Sequence, residues 1–421
     1  MLGAALFVAL MTGGYYYNVT FVQLGLLDLG TRLVGMTRVQ TSIGMAALAL
    51  GAVAVALVVG VAMDRRGWSA DLLAKLRLLL GVVVLQLVLT AVAPFVATVP
   101  AFAAWVAGCA LSIGVGLPVA FSMAVDLVPV ADRGYVAAAI AGLSFALAAV
   151  YPVEWNVGSF SLVVTLAMLP AVPVLAVLAS GRLAVVDELA RQHERRAFGA
   201  GRFTRGRPVG VRTLTFWTLL VVMFGVYFVD SLGFLRIVET EALVAVAWQS
   251  PDLGPRVAIA GVHLVGAGAA GVLYRNFDRD WLFVWTFGVF AVSHLLYTFG
   301  FRLAPLGGAG TLAPPLYYAV AVSFYTTLNF ALWPDVSTPR TVGTHAALGV
   351  GVAGFLATFL STAVSLYFRA TGVSAYGHLN VTSALGLLLF VGVVVLLYVR
   401  RGLAAARADR SHTRTTGGDP R

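Results

Sequence analysis

Long apolar stretches separated by short polar ones recur along most of the chain. A helix needs about 20 predominantly apolar residues to cross the hydrocarbon core of a bilayer. The sequence contains twelve such runs, six on either side of an arginine-rich interval at residues 181–213. The predicted spans are 2–26, 43–61, 72–93, 102–125, 135–152, 162–178, 214–235, 257–273, 281–300, 316–333, 346–368 and 384–399. This pattern predicts an all-α integral membrane protein with twelve transmembrane helices.

The composition agrees with a polytopic membrane protein. Hydrophobic residues make up 60% of the chain and charged residues only 11%. Soluble globular domains are about one quarter charged, so the composition excludes that class. The single cysteine, Cys109, lies in an apolar run, which excludes a disulfide framework. No basic segment precedes the first apolar run, so no cleaved signal peptide is expected.

The net charge of +10 could indicate nucleic-acid binding, but the positions of the charges indicate a membrane topology instead. If the N-terminus is cytoplasmic, 22 of the 28 Lys and Arg residues fall on inner segments. Cytoplasmic loops of membrane proteins carry such an excess of basic residues. We therefore predict a multi-pass protein of the cell membrane with both termini cytoplasmic. Its surroundings are the lipid bilayer, and no nucleic-acid partner is expected.

A charged loop, GVAMDRRG at residues 60–67, separates the second and third spans. A chain that leaves the membrane and re-enters within about ten residues must turn tightly outside the hydrocarbon. Asp64, Arg65 and Arg66 would each cost several kcal/mol at the bilayer centre, so they place this loop at a membrane surface. Taken alone, the stretch could equally be a positively charged turn without further function.

The pattern G-x-x-x-D-R-x-G of this loop resembles the signature loop between helices two and three of the major facilitator superfamily of membrane transporters. The stretch GCALSIGVGLP at residues 108–118, followed by Asp126 and Arg133, is similar to the glycine-rich fourth helix of that family and the loop after it. The chain also departs from the family. Trp68 and Ser69 replace the basic residues expected after Gly67, and the fifth span lacks the Gly-Pro element typical of antiporters.

The two groups of six spans resemble copies of each other. Four pairs of residues recur at offsets of 209 or 211 positions: Asp126 and Asp335, Gly134 and Gly343, Gly60 and Gly271, Tyr16 and Tyr227. Near-constant offsets argue for an internal duplication, which is common in secondary transporters. The predicted domains are an N-terminal bundle at 1–180, a cytoplasmic linker at 181–213, a C-terminal bundle at 214–401 and a disordered tail at 402–421. Within the linker, Asp187 and Arg191 predict a short solvated helix.

The resemblance implies a central cavity lined mainly by helices one, four, seven and ten and opened alternately to each side. Tyrosine and amide side chains at membrane depth can stack on a small polar solute and bind it through hydrogen bonds. The candidates for substrate binding or coupling are Tyr16, Tyr17, Asn18, Tyr227, Asp230, His263, Tyr325 and Asn329.

Asp230 is the carboxylate placed deepest within a predicted span, and such a group indicates function by default. It can exchange a proton with bulk water or, when ionised, attract a cationic solute or Na⁺. The alternatives are a structural pair with Arg236 and a position in outer water. His263 can relay protons near neutral pH, but a hydrogen-bonded packing role is the commoner one.

The resemblance also implies a gate on the cytoplasmic side. In the family, the loop aspartate engages the start of helix eleven and the loop after helix four in the outward-open state. Asp64 takes that role here, and Arg133 is expected to complete the charge cluster. A carboxylate at a helix N-terminus gains about 0.3 to 1 kcal/mol. The candidate gate residues are Gly60, Asp64, Arg65, Gly67, Asp126 and Arg133.

These observations together predict a secondary active transporter. The sequence holds no G-x-x-x-x-G-K-[ST] loop, no metal-ligand spacing and no nucleophile elbow, so no ATP-driven pump, enzyme, metal or cofactor is expected. The predicted protein is a monomer that moves a small organic solute by alternating access, with H⁺ or Na⁺ as candidate coupling ions. The alternative is a non-transporting receptor or assembly scaffold of the same fold, which a featureless central cavity would favour.

Overall fold

The computed structural model of the chain describes residues 2–151, 156–190, 208–277, 279–303 and 312–416. Within these ranges the regular secondary structure is helical and no strand occurs. The twelve long helices are α1 (Leu2–Leu33), α2 (Arg38–Arg65), α3 (Leu72–Val92), α4 (Val99–Leu127), α5 (Arg133–Val150), α6 (Val157–Ala179), α7 (Leu214–Val238), α8 (Leu253–Asn276), α9 (Arg279–Leu303), α10 (Ala313–Val336), α11 (Val342–Ala370) and α12 (Ala375–Thr416). The predicted all-α membrane architecture is confirmed.

Helix α10 differs from the other long helices in its polarity. In the described part of the chain, eleven helices are long and apolar enough to cross a membrane, and α10 is not among them. It has 24 residues, and every residue from Ala321 to Val336 is buried within the protein. Polar groups at membrane depth face the interior of a bundle. Helix α10 therefore lies inside the protein, where it needs no lipid-facing surface.

Helices α1 and α12 end well beyond the residues that the apolar pattern predicts. Helix α1 continues to Leu33 and contains π-helical turns at Tyr17–Gln23 and Leu29–Leu33. Helix α12 continues to Thr416, through residues 402–416 that the composition predicts to be disordered. The stretch GLAAARADR in this segment is rich in Ala, Leu and Arg, which are strong helix formers. Residues 417–421 lie outside the described ranges.

The first six helices and the last six form two halves that meet along two pairs of helices. Helix α5 packs along α8, and α2 packs along α11. Between the halves, a short helix at Ala184–Ala190 occupies the position predicted for the linker helix, although Arg191 lies outside the described residues. The central space between the halves is therefore bounded by these two helix pairs.

Both helix pairs cross at glycines near the same end of the bundle. A Cβ atom at Gly60 would lie 2.6 Å from the carbonyl oxygen of Gly343, and one at Gly134 would lie 2.8 Å from that of Gly271. Glycine allows backbones to approach this closely. The sequence repeat relates Gly60 to Gly271 and Gly134 to Gly343, so the two crossings are equivalent when the halves are exchanged. The arginine distribution predicts that this end is cytoplasmic, and we call it the inner end.

Gly60→Val is expected to destabilise the protein by about 1–3 kcal/mol, because the added side chain would overlap the backbone of α11. The midpoint of thermal unfolding should fall relative to the parent. Gly81→Val is the matched control, since Gly81 lies exposed on α3 and its added Cβ would meet no atom within 4 Å. Equal midpoints for the two variants would contradict a close crossing at Gly60.

Candidate functional site

Asp64, in the last turn of α2, caps the first turn of α11. Its carboxylate accepts hydrogen bonds from the backbone N–H of Gly343 at 3.0 Å and of Thr344 at 2.9 Å. These donors belong to the helix N-terminus and have no partner within their own helix. The carboxylate also meets the positive end of the helix dipole. One side chain of the N-terminal half thus satisfies backbone groups of the C-terminal half.

The loop after Asp64 holds this carboxylate in place. Gly67 has a φ of 75°, a left-handed conformation that ends α2 and turns the chain. Two residues later, the hydroxyl of Ser69 donates to Asp64 at 2.5 Å. Arg65 is exposed, whereas the Arg66 guanidinium lies over the ring of Trp68. The predicted gate residues Gly60, Asp64 and Gly67 therefore lie together, with Arg65 on the outside of the loop.

Arg133 pairs with Asp335 rather than with Asp64. Its guanidinium lies 2.9 Å from the Asp335 carboxylate, and both side chains are almost fully buried. The hydroxyl of Tyr274 donates to the second oxygen of Asp335 at 2.7 Å. The expected charge cluster around Asp64 is therefore two separate contacts. Asp335, at the end of α10, is the acid that joins Arg133 of the N-terminal half to the C-terminal half.

Asp126 has its partner within its own half. The Lys75 ammonium lies 2.5 Å from the Asp126 carboxylate and also donates to the carbonyl of Ser122 at 3.2 Å. Lys75 is the only lysine of the chain, and both side chains of the pair are buried. This ion pair joins α3 to the end of α4. It stabilises the inner end of the N-terminal half rather than bridging the two halves.

Asp64→Asn is expected to shift the population toward an inner-open state. The amide supplies one acceptor oxygen instead of two and carries no charge. The contact that closes the inner end therefore loses about 1–2 kcal/mol, which changes the ratio of closed to open protein by about 5- to 30-fold. Spin labels at Arg66→Cys and Arg340→Cys should report a longer distance in this variant. Asp71→Asn is the control, because Asp71 caps α3 within one half. An unchanged distance in Asp64→Asn would refute the role of Asp64 as a latch.

The outer end is also joined by polar contacts between the halves. The buried guanidinium of Arg256 in α8 donates to the carbonyls of Ala149 at 2.7 Å and Val150 at 3.0 Å in α5. Arg38 of α2 lies 3.9 Å from Glu239 at the end of α7, and both side chains are partly exposed. Exposed ion pairs of this kind contribute about 0–1 kcal/mol. Deeper in the bundle, the side chain of Gln23 donates to Thr362 of α11 at 3.0 Å. Polar contacts among the described residues thus join the halves at both ends, and the buried Arg133–Asp335 ion pair between the halves lies at the inner end.

A cavity of about 100 Å³ lies between the two halves. Its walls come from α1, α5, α7, α10, α11 and the segment between α7 and α8. Helix α4, which the resemblance places at the central cavity, contributes none of the described lining residues. The polar side chains of the lining are Tyr15, Asn18, Thr20, Gln23, Tyr227, Asp230, Ser231, Gln249, Tyr318, Tyr325, Asn329 and Thr358.

Asp230 lies on the wall of this cavity between two tyrosines of α10. The hydroxyl of Tyr325 donates to one carboxylate oxygen at 2.7 Å, and the hydroxyl of Tyr318 donates to the other. Within the described part of the chain no basic side chain forms an ion pair with Asp230. The proposed pair with Arg236 is therefore absent there. The arrangement presents a carboxylate, fixed by two hydroxyls, to whatever occupies the cavity.

The other predicted residues of α7 and α10 also reach the cavity. Tyr227 lies edge-on against Tyr325, with ring centroids 4.8 Å apart. Asn329 lines the cavity while its amide oxygen accepts from the indole N–H of Trp333 at 2.6 Å. In α1, Asn18 donates to the carbonyl of Gly14, and its amide oxygen is buried without a partner. Asn18 therefore keeps an acceptor available to a ligand.

Tyr16 and Tyr17 do not line the central cavity. The hydroxyl of Tyr16 donates to the carbonyl of Tyr151 at 3.0 Å, and Tyr17 accepts from Thr90 at 3.0 Å within the N-terminal half. The π-helical turn that begins at Tyr17 widens the helix and changes which side chains face the centre. Tyr15 occupies the cavity wall in their place.

His263 has a structural position behind the cavity wall. Its ring accepts from the indole N–H of Trp248 at 2.8 Å and lies 2.9 Å from the hydroxyl of Ser323. Phe145 of α5 stacks on the same ring, with centroids 5.0 Å apart. His263 is absent from the described cavity lining, whereas Trp248 and Phe145 are part of it. Its contacts are those of a packing residue that positions two cavity aromatics.

Sequence reasoning missed several contributors to the site. Trp248 and Gln249 come from a segment between two spans, and Phe145 is an apolar residue of a span. No apolar pattern distinguishes these residues from lipid-facing ones. The sequence does contain features that point to Asp335 and Lys75. Asp335 belongs to the duplicated motif, and Lys75 is the single lysine of the chain and lies at the membrane end of a span.

Comparison with solved structures finds the same architecture in membrane transporters. The human organic anion transporter MFSD10 (TETRAN) is 18% identical with a TM-score of 0.58, and the match covers 93% of this chain and 98% of that one. A bacterial homologue of the iron transporter ferroportin, in an outward-facing state, is 14% identical with a TM-score of 0.61 and the same coverage. The proton:xylose symporter XylE of the major facilitator superfamily is 13% identical with a TM-score of 0.62, covering 93% and 94%.

The sequence alone does not match known groups, since no protein-family model and no curated protein matches it. Identities of 13–18% establish a shared fold and leave function to be argued from the site. The matches extend over 93% of this chain and 94–98% of the others. The chain therefore has the fold of the major facilitator superfamily of membrane transporters.

Proposed function

We propose that the chain is a secondary active transporter that moves a small organic solute across the cell membrane by alternating access. The observation that carries this proposal is Asp230, held by two tyrosines on the wall of a cavity between the halves. Transporters with this fold place their substrate and coupling ions near the bilayer midplane between repeats. The three similar solved structures are all described as transporters or homologues of one.

The proposed cycle uses the difference between the two ends of the bundle. The inner end is closed by the Asp64 cap on α11 and by the buried Arg133–Asp335 pair. Opening it requires both contacts to break while new contacts form at the outer end, where Glu239 already lies near Arg38. A bound solute that draws α1 and α7 together would favour that exchange, because a ligand shifts an equilibrium by its differential affinity for the two states.

The chemistry of the cavity favours a solute that is neutral or cationic. Asp230 supplies acceptor oxygens, and the surrounding tyrosines and amides supply hydrogen bonds. The similar structures are described as transporters of organic anions, iron or xylose, so they do not select one substrate class. Asp230 also offers a site for the coupling ion, either by exchanging a proton or by binding Na⁺.

A non-transporting receptor or scaffold is the competing function. A static scaffold has no need for a fixed carboxylate in a central cavity or for contacts that close one end, whereas a receptor would share the cavity but would not move the solute. The polar groups of the cavity therefore favour transport over the scaffold.

Thermal unfolding of the purified protein, screened against metabolites, cations and a range of pH values, tests the proposal. A ligand that binds only the folded state stabilises it by about 2.7 kcal/mol at a hundredfold excess over its Kd. We expect a rise of the midpoint that is specific to one class of neutral or cationic organic solutes. The hit should then accumulate in proteoliposomes that contain the protein. Binding without movement across the membrane would favour the receptor function instead.

A further inference from the structure

A second cavity, larger than the central one, lies in the N-terminal half. It has a volume of about 500 Å³ and is lined mainly by α1, α3, α4, α6 and the short helix at Ala184–Ala190. We call it the apolar chamber. Along α1 it extends from Leu6 to Asn18, a rise of about 18 Å along the helix axis. Protein interiors are normally packed with few voids larger than a water molecule, so a chamber of this size calls for an occupant.

The wall of the chamber suits a hydrocarbon chain. None of the described lining residues is charged, and most are Leu, Val, Ala, Met or Ile. Gly13 and Gly14 lie side by side on the wall, and a Cβ at either position would meet no atom within 4 Å. These two glycines create part of the space directly. Apolar cavities remain dry and bind apolar molecules.

The chamber adjoins the central cavity and extends from there toward the inner end. Tyr15, Asn18 and Phe355 belong to the walls of both cavities. Asn18 places its buried, unpartnered amide oxygen at this junction. At the opposite end, the buried side chains of Leu72 and Leu127 line the chamber beside the Lys75–Asp126 ion pair. A chain in the chamber is therefore continuous with the polar site.

We propose that the apolar chamber binds the alkyl chain of a single-chain amphiphile whose polar head lies in the central cavity near Asp230. This inference rests on the proposed function and narrows its substrate to an amphiphile. Asp230 favours a cationic or hydrogen-bonding head, and Asn18 offers a further acceptor where the head meets the chain. The solute would reach the chamber through the central cavity.

Photo-crosslinking in phosphatidylcholine nanodiscs tests this inference, because it measures where a probe binds and needs no transport assay. The probe is dodecylamine with a diazirine near the end of its chain, and butylamine with a diazirine is its short counterpart. Met11 and Ile113 line the chamber but are only 4% and 2% exposed, so annular lipid does not reach them. We expect the long probe to label peptides with these residues and the short probe to leave them unlabelled.

Variants in which a larger side chain fills the chamber are compared with a matched control variant. Gly13→Leu should reduce labelling of Met11 and Ile113 by at least about tenfold, equivalent to 1.4 kcal/mol. Gly81→Leu, an equal change on the lipid-facing side of α3, should leave the labelling unchanged. Gly14→Leu provides a second filling variant if the first unfolds. Equal labelling in both filling variants and in the control would overturn the proposal.

Two further outcomes separate this proposal from its rivals. Labelling that falls in Asp230→Asn ties the chain to a head in the central cavity, as proposed. The second outcome uses a phosphatidylcholine with a diazirine in its acyl chain. If this lipid labels Met11 and Ile113 equally in the parent and in Asp230→Asn, the occupant is a bilayer lipid and the proposal is overturned. Transport of a compact polar solute without chamber labelling would refute this inference and leave the proposed function standing.

Discussion

Asp230→Asn is expected to reduce solute uptake by about ten- to hundredfold. Hydrogen bonds to a charged group contribute about 1.5–3 kcal/mol, and the amide removes the charge while it keeps the size of the side chain. The Tyr318 and Tyr325 hydroxyls both donate to the carboxylate, so an amide NH₂ would also face one of these donors. The variant therefore loses both the anchor for a solute head and the group that can carry a coupling ion.

Initial uptake into proteoliposomes, with the solute identified by thermal unfolding, measures this effect. Asp252→Asn is the control, because Asp252 is an exposed aspartate of the same half that lies before α8. It should retain the uptake rate of the parent. Uptake by Asp230→Asn at the rate of the control would assign Asp230 a structural role only.

Exchange of labelled for unlabelled solute distinguishes the two possible roles of Asp230. If Asp230 carries the coupling proton, the variant should lose accumulation driven by a proton gradient but retain exchange. If it binds the solute itself, both activities should be lost. Exchange that persists while accumulation is abolished would therefore place the solute on other groups of the cavity.

Asp335→Asn is expected to destabilise the protein by about 3–5 kcal/mol, because it removes the negative charge of the buried Arg133–Asp335 ion pair. The amide also faces the donating hydroxyl of Tyr274. The midpoint of thermal unfolding should fall strongly. Since the pair joins α5 to α10 across the two halves, the surviving folded protein should populate the inner-open state.

A double replacement and a second ion pair provide the controls. Arg133→Met with Asp335→Leu should recover most of the lost stability, since well-packed apolar residues often replace a buried pair without cost. The double variant should nevertheless open at the inner end, which the ion pair holds closed in the parent. Asp126→Asn breaks the Lys75 pair within one half, so it should lower stability without opening the inner end. If Asp126→Asn opens the inner end as much as Asp335→Asn does, Arg133 is not a specific latch.

The apolar pattern predicted which segments are helices, because length and hydrophobicity decide whether a helix can cross a bilayer. It also singled out Asp230, since a carboxylate is rare within a span, whereas the motif of the loop at residues 60–67 singled out Asp64. The pattern did not predict how each helix is rotated about its axis. The π-helical turn at Tyr17–Gln23 is invisible in composition, so Tyr16 and Tyr17 were expected in a cavity that they do not line.

The sequence pattern also did not predict the contacts between segments that are distant in the chain. Arg133 and Asp335 lie 202 positions apart, and nothing near either residue identifies its partner. The duplication supplied a partial signal, because it related Gly60 to Gly271 and Gly134 to Gly343, the four glycines of the two crossings. The role of α4 could not be inferred, since its small residues suit a helix contact and a chamber wall equally well.

Side-specific labelling of one cavity cysteine tests alternating access most directly. Ser231→Cys places a thiol on the cavity wall, and Cys109→Ala removes the native one. In proteoliposomes of known orientation, a membrane-impermeant maleimide should label this cysteine from the outer side and, in the presence of the transported solute, from the inner side as well. Labelling from one side only, unchanged by the solute and by Asp64→Asn, would contradict transport and indicate a static scaffold.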